Sequence, residues 1–157
     1  MTIQTSQHIA TITLDESSIK RRTPELEHER VVAMNDLIEW NHFAVEDADG
    51  PYDVTLSTSE NRIAFKVKAK TLAKPLTIAI SLAPMRGIIR DYSLICESYF
   101  EAVKSGNLPR IEAIDMSRRG LHNEGSDMLI TLLEGKVTLD SETSRRLFTL
   151  IYVLHLK

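Results

Sequence analysis

The chain carries one cysteine, Cys96, in 157 residues, so no disulfide can form within it, as suits a reducing compartment. It has no apolar run near the roughly 18 residues that a membrane span needs. Its N-terminal stretch, MTIQTSQHIATI, lacks the basic segment and apolar core of a signal peptide. A basic excess is missing too: 19 Lys and Arg stand against 22 Asp and Glu, a net charge of -3 that argues against a general polyanion binder. There is no internal repeat, low-complexity tract or linker. No G-x-S-x-G elbow surrounds Ser126, and neither a P-loop nor an HExxH motif occurs. With 43% hydrophobic and 26% charged residues, the expectation is a single globular domain over residues 1–157, cytoplasmic, binding no membrane and no nucleic acid, with no metal or cofactor called for.

What is present falls into two periods. Ala10, Ile12 and Leu14 alternate with Thr11 and Thr13, which predicts a half-buried strand over His8 to Leu14. Thr23-Pro24-Glu25 reads as an N-cap, an N1 proline and a first-turn carboxylate. The helix they open runs to about Asn41, with Leu26, Ala33, Met34, Leu37 and Trp40 inward and Arg30 on the same face. After the Asp49-Gly50-Pro51 turn signal come three alternating runs, Tyr52-Val54-Leu56, Ile63-Phe65-Val67-Ala69 and Leu76-Ile78-Ile80-Leu82. They predict an antiparallel meander with one apolar side.

Pro84 opens a second helix that Gly106 stops, Pro109 opens a third that Gly135 ends, and Asp140 caps a last one. In that last helix Leu147, Phe148, Leu150, Ile151, Val153, Leu154 and Leu156 point nearly all round, so it is buried centrally or lies in an oligomer interface. The fold class is α+β: an antiparallel β-meander of three to four strands, helices packed on one face, and a buried C-terminal helix.

The densest cluster of chemically capable side chains lies between Ile111 and Glu134, where Asp115, Arg118, Arg119, His122, Asn123, Glu124 and Ser126 crowd together. At about 100° per residue, Ile111, Ile114, Arg118, Leu121, Gly125, Met128, Leu129 and Leu132 share a face, bordered by Asp115, Arg119, His122 and Ser126. Gly125 admits two readings. Either one long helix uses it for a close approach, or the helix stops near Asn123 and Ser126 caps a new one. Arg30 and Arg118 both occupy core-face positions, and a buried guanidinium without a partner is strongly destabilising. Glu27, Asp115 and Glu124 are the nearest acids, and a carboxylate contact across helices is expected for at least one of the two arginines.

The strings EHERVVA (27–33), LICESYFEA (94–102), IEAIDMSRRGLHNEGSDML (111–129), LEGKV (133–137) and RRLFTLIYVLH (145–155) together resemble an uncharacterised family of short alphaproteobacterial proteins. Those proteins carry only a placeholder UPF designation. The resemblance runs from the first strand to the last helix. It implies a bacterial, cytoplasmic, single-domain protein of unassigned function, and carries over no catalytic residue.

Several motifs weaken on inspection. Glu25-x-x-His28 and Glu39-x-x-His42 resemble halves of a di-metal carboxylate site, but they lie on one helix about 21 Å apart, too far to share a metal pair. Cys96 falls mid-helix beside Tyr92 and Tyr99, which fits an inert buried thiol better than a nucleophile. The row Arg62, Lys66, Lys68, Lys70 lacks interleaved aromatics and reads as a solvated strand face.

Two functions remain. One is a non-catalytic module that self-associates as a homodimer or other homo-oligomer, or binds another protein, on the strength of the apolar last helix. The other is a small-anion site for phosphate or carboxylate, with or without hydrolase-like catalysis. There Arg118, Arg119, Asn123, Ser126 and Arg30 would bind, His122 and Glu124 would move protons, and Glu27 and Asp115 would support the arginines.

Overall fold

The structure is a computed structural model that describes residues 6–15 and 23–155. Leu156 and the first five residues of the N-terminal stretch lie outside the described residues. In order, the elements are β1 (Ile9–Leu14), α1 (Pro24–Glu39), β2 (Phe43–Val45), β3 (Tyr52–Thr58), β4 (Arg62–Lys68), β5 (Leu76–Ser81), α2 (Ala83–Ser105), α3 (Leu108–Leu133), β6 (Val137–Leu139) and α4 (Ser141–His155). The class is α+β, as the two periods require.

The main sheet has the order β1-β3-β4-β5. β3, β4 and β5 form the expected antiparallel meander, in a register that sets Val54 opposite Val67, Leu56 opposite Phe65, and Phe65 opposite Ile78. Each of those pairs puts both side chains on the buried face, while Lys66 and Lys68 stay on the exposed one. The fourth strand joins in parallel: β1 runs alongside β3 in the same direction. α1 lies between the two in the chain, and a helical crossover returns a strand parallel to the one it left.

β1 also carries an irregularity between Ile9 and Thr11, so Ile9 rather than Ala10 is buried beside Ile12 and Leu14. The one extra residue shifts the alternation. Asn41 holds that bulged strand. Its Oδ1 accepts from the Ile9 N–H at 2.7 Å, and its Nδ2 donates to the carbonyls of Ile9 at 3.0 Å and Leu37 at 2.8 Å. One buried amide thus closes the end of α1 and completes the edge of β1.

The helix boundaries follow local chemistry. Thr23 Oγ1 accepts from the Leu26 N–H at 3.2 Å and Pro24 stands in the first turn of α1. Gly106, at φ 71°, ends α2, and Asn107 Oδ1 accepts from the Arg110 N–H at 3.2 Å to start α3. α4 is buried centrally: it packs on α1, on α3 and on β3, and Leu147, Phe148, Leu150, Ile151, Tyr152, Val153 and Leu154 are all buried within the chain. Its entry is fixed by a small second sheet, β2 against β6, and by Thr143 Oγ1 accepting from the His42 N–H at 3.0 Å.

Candidate functional site

α3 is continuous through Gly125, so the close-approach reading holds. A Cβ at Gly125 would stand 2.2 Å from Phe148 Cε1 of α4. The missing side chain lets α4 come down onto α3, and that approach sets the next turns of both helices side by side. His122 of α3 therefore meets Thr149 of α4, and Arg145 of α4 donates to Asn123 Oδ1 of α3. Deeper in, Ser144 Oγ donates to the Ser126 carbonyl at 2.7 Å.

The polar border of α3 is organised by Asp115. Its Oδ1 accepts from Arg118 Nε at 3.1 Å and Nη2 at 2.6 Å, while its Oδ2 meets Arg119 Nη2 at 2.8 Å. Those hydrogen bonds from Arg118 hold the Asp115 carboxyl below the usual carboxylate range. Arg118 is 27% exposed along its side chain and lies inside the helical layer, whereas Arg119 is 72% exposed. The Arg118 guanidinium stacks over Tyr99 of α2, with Cζ 4.3 Å from the ring centroid. Across helices, then, Arg118 is answered by an aromatic face, and its carboxylate comes from its own helix. Arg30 likewise pairs with Glu27, one turn away on α1, and lies against Met34.

His122 sits among rings: Phe148 at 5.1 Å and Tyr92 at 5.5 Å, both edge-on. Its Nε2 is 2.8 Å from Thr149 Oγ1, and Thr149 uses its own proton to donate to the Arg145 carbonyl at 3.2 Å. With the Thr149 proton on the Arg145 carbonyl, Thr149 accepts from His122 and the imidazole proton sits on Nε2. Nδ1 is left as a buried lone pair with no hydrogen-bond partner among the described residues. Burial, then the guanidiniums of Arg145, Arg118 and Arg146, hold the His122 pKa down to about 4. The imidazole stays neutral because charging it would add a cation to a site already crowded with them.

These groups border one cleft, with a cavity volume of about 890 Å³, between α1, α2, α3 and α4. Arg118, Arg119, Arg145, Arg146, His122 and Thr149 line one part of it. Tyr92, Tyr99, Phe100, Val32 and Ala33 supply apolar wall, and Pro24, Glu25, His28 and Glu29 close it from α1. The arginines outnumber their acids. Arg118 and Arg119 share Asp115, and Arg146 reaches Asp36 at 3.7 Å and Glu142 at 3.6 Å, the latter also 3.9 Å from Arg145. Glu29 is raised above its ordinary pKa by burial, with Arg118 and then His28 acting against the rise.

Of the residues singled out in the sequence, Arg118, Arg119 and His122 line this cleft. Asn123 supports it through Arg145. Ser126 is buried where α3 meets α4, and its hydroxyl donates to the Asn123 carbonyl at 3.0 Å. Glu124 is exposed and outside the lining; Arg30 and Glu27, half-buried, are outside it too. Asp115 lies just behind the lining as the arginines' shared partner. Arg145, Arg146 and Glu29 join the site without any motif to mark them. The Arg145-Arg146 pair opening an otherwise apolar helix is the one visible signal.

Cys96 is buried below the cleft, and its thiol is pushed up to about 11, by burial first and then by the Glu29 carboxylate. Among the described residues no cluster of three His, Cys, Asp or Glu side chains could hold a metal ion. No helix among them is long and apolar enough to cross a membrane.

Comparison with known proteins agrees with the resemblance in the sequence. The profile of an uncharacterised protein family, UPF0262, matches residues 6–157. A UPF0262 protein of Rhodospirillum rubrum is 51% identical over 154 residues, covering 98% of this chain and 95% of that protein. Another, of Methylobacterium radiotolerans, is 49% identical over 149 residues, covering 95% and 93%. A third, of Bradyrhizobium diazoefficiens, is 49% identical over 154 residues, covering 97% and 93%. No solved structure matches at a significant level. The chain belongs to the UPF0262 family.

Proposed function

We propose that this UPF0262 chain binds a small organic anion, through a phosphate or carboxylate group, in the cleft between its four helices, in the cytoplasm. The observation that carries this reading is that four arginines, from α3 and α4, line one cleft. Burial, and then the field of Arg145, Arg118 and Arg146, holds the neighbouring His122 neutral. Planar guanidiniums match the two oxygens of a carboxylate or phosphate, and a partly desolvated cleft strengthens such contacts. The shared use of Asp115 by Arg118 and Arg119 leaves positive charge for a ligand to answer. The reading stops at binding: His122 Nε2 is engaged by Thr149 and Glu124 stands outside the cleft.

The test is thermal denaturation with inorganic phosphate, nucleoside monophosphates and mono- and dicarboxylates, on wild type and on an Arg119→Ala, Arg145→Ala double variant. A ligand at about 100 times its Kd stabilises by about 2.7 kcal/mol, roughly 5–10 °C for a chain of this size. The expected outcome is such a shift in wild type for at least one anion, absent in the variant. If no anion separates the two proteins, the reading fails.

Self-association is the second reading. Its first motive, the all-round apolar helix, is met inside the chain by the burial of α4. It keeps the support of exposed apolar side chains on α1, Val31 and Ile38 two turns apart and Trp40 at the helix end. Light scattering on a sizing column at about 100 μM decides it: a dimer that Val31→Lys, Ile38→Lys dissociates supports it, and a monomer removes it.

A further inference from the structure

Resting on that cleft reading, we propose that its ligand is a small zwitterion: an anion that also carries an ammonium group, held against the Glu29 carboxylate of α1. Glu29 lines the same cleft as the four arginines, yet makes no hydrogen bond or ion pair with any described residue. Arg118 is close enough to oppose the neutralisation of Glu29, but its guanidinium is already taken by Asp115 and by the face of Tyr99.

Partial burial makes the charged form of Glu29 less favourable than it is in open water. In an anion site it is also counterproductive, because it repels the ligand that the arginines attract. Both costs turn into gains if the ligand brings its own cation. An ammonium against Glu29 supplies charge-assisted hydrogen bonds, and the ligand's carboxylate or phosphate meets Arg119 and Arg145.

The same cleft offers Tyr92, Phe100 and Val32 to an apolar or planar body. A volume of about 890 Å³ accommodates a molecule of amino-acid to nucleotide size. The chemical class is therefore amino-acid-like: opposite charges separated by a short apolar frame.

Matched pairs that differ only in the amine test this. Binding of phenylalanine against 3-phenylpropanoate, of glutamate against glutarate, and of 2-aminoethyl phosphate against ethyl phosphate is measured by calorimetry on wild type and Glu29→Gln. The expected result is that at least one zwitterion binds wild type about tenfold or more tightly than its partner lacking the amine, and that Glu29→Gln removes the preference while anion binding persists. Glu29→Gln keeps the side chain's shape and removes a buried charge, so the free variant melts no lower than wild type at neutral pH. A preference that survives in Glu29→Gln overturns the proposal. So does equal binding of both members of every pair, or binding of none of the zwitterions. If amine-free anions bind well, the zwitterion is refuted and the anion cleft survives; if no anion of either kind binds, both readings fall.

Discussion

Burial first, and then the guanidiniums of Arg145, Arg118 and Arg146, keep His122 neutral, so the imidazole reports its surroundings rather than adding charge to them. Its depressed pKa has a consequence for folding. In the unfolded chain His122 takes up a proton near pH 6.5, whereas in the folded chain it resists until about pH 4. Between those values the unfolded state binds more protons, so the His122 contribution is intact above pH 6.5 and is lost as pH falls toward 4. At pH 4.5 that amounts to on the order of 2 kcal/mol. Urea melts at pH 7 and pH 4.5 should show His122→Gln losing less stability between the two than wild type. Equal losses would mean that His122 charges as freely in the fold as outside it.

Single residues also show how far local pattern can be trusted. The position of Arg118 on a packed face was legible from the 3.6 period, and so was the need for a partner. Asp115 was among the acids named for it, but that the pairing would stay within the helix was not legible: rotamers place Asp115 three residues back within reach, and the cross-helix position is filled by Tyr99. Glu29 lies within EHERVVA, and nothing in that string marks which of its two glutamates lines the cleft.

Among the elements, α3 is the one whose interior glycines separate two physical roles. Gly125 permits close helix packing: a methyl there would meet Phe148 at 2.2, 2.4 and 2.7 Å, and Phe148 is wholly buried. Gly120 has nothing within 4 Å of the equivalent position. Alanine improves an exposed helix interior by roughly 0.5–1 kcal/mol over glycine, while overpacking a core costs roughly 1–3 kcal/mol. Chemical denaturation should therefore find Gly120→Ala stabilised by up to about 1 kcal/mol. Gly125→Ala should be destabilised by roughly 1–2 kcal/mol, with α4 displaced and Arg145 drawn out of hydrogen-bond reach of Asn123. A stable Gly125→Ala would show that Phe148 can yield, and that the helices need not be this close.

The helices themselves were readable from caps and periodicity, since Thr23, Gly106, Pro109 and Gly135 act within a turn of where they stand. β2 and β6 were not. Each is three residues long, and the two pair across most of the chain only because α1 delivers one and α3 the other.

At the scale of the whole molecule, Asn41 ties the sheet to the helical layer through hydrogen bonds to Ile9 of β1 and Leu37 of α1. Removing its side chain strands the N–H and carbonyl of Ile9 in the core. Asn41→Ala should cost roughly 2–4 kcal/mol in urea unfolding, more than a surface asparagine would. A loss below about 1 kcal/mol would mean that β1 re-pairs without it.

Composition and period by themselves determined the class, the three-stranded meander and the four helices with most of their ends. Those features follow from backbone preference and from which side of an element must leave water, both written within a few residues. The tertiary structure alone decided the parallel seat of β1 and the bulge that exchanges Ala10 for Ile9. It also decided which elements cover the buried α4, and the gathering of Arg118 and Arg119 with Arg145, Arg146 and Glu29 around one cleft. The reason is distance along the chain: these groups meet only after helices have packed at Gly125, and no local pattern encodes which partner a packed face will find.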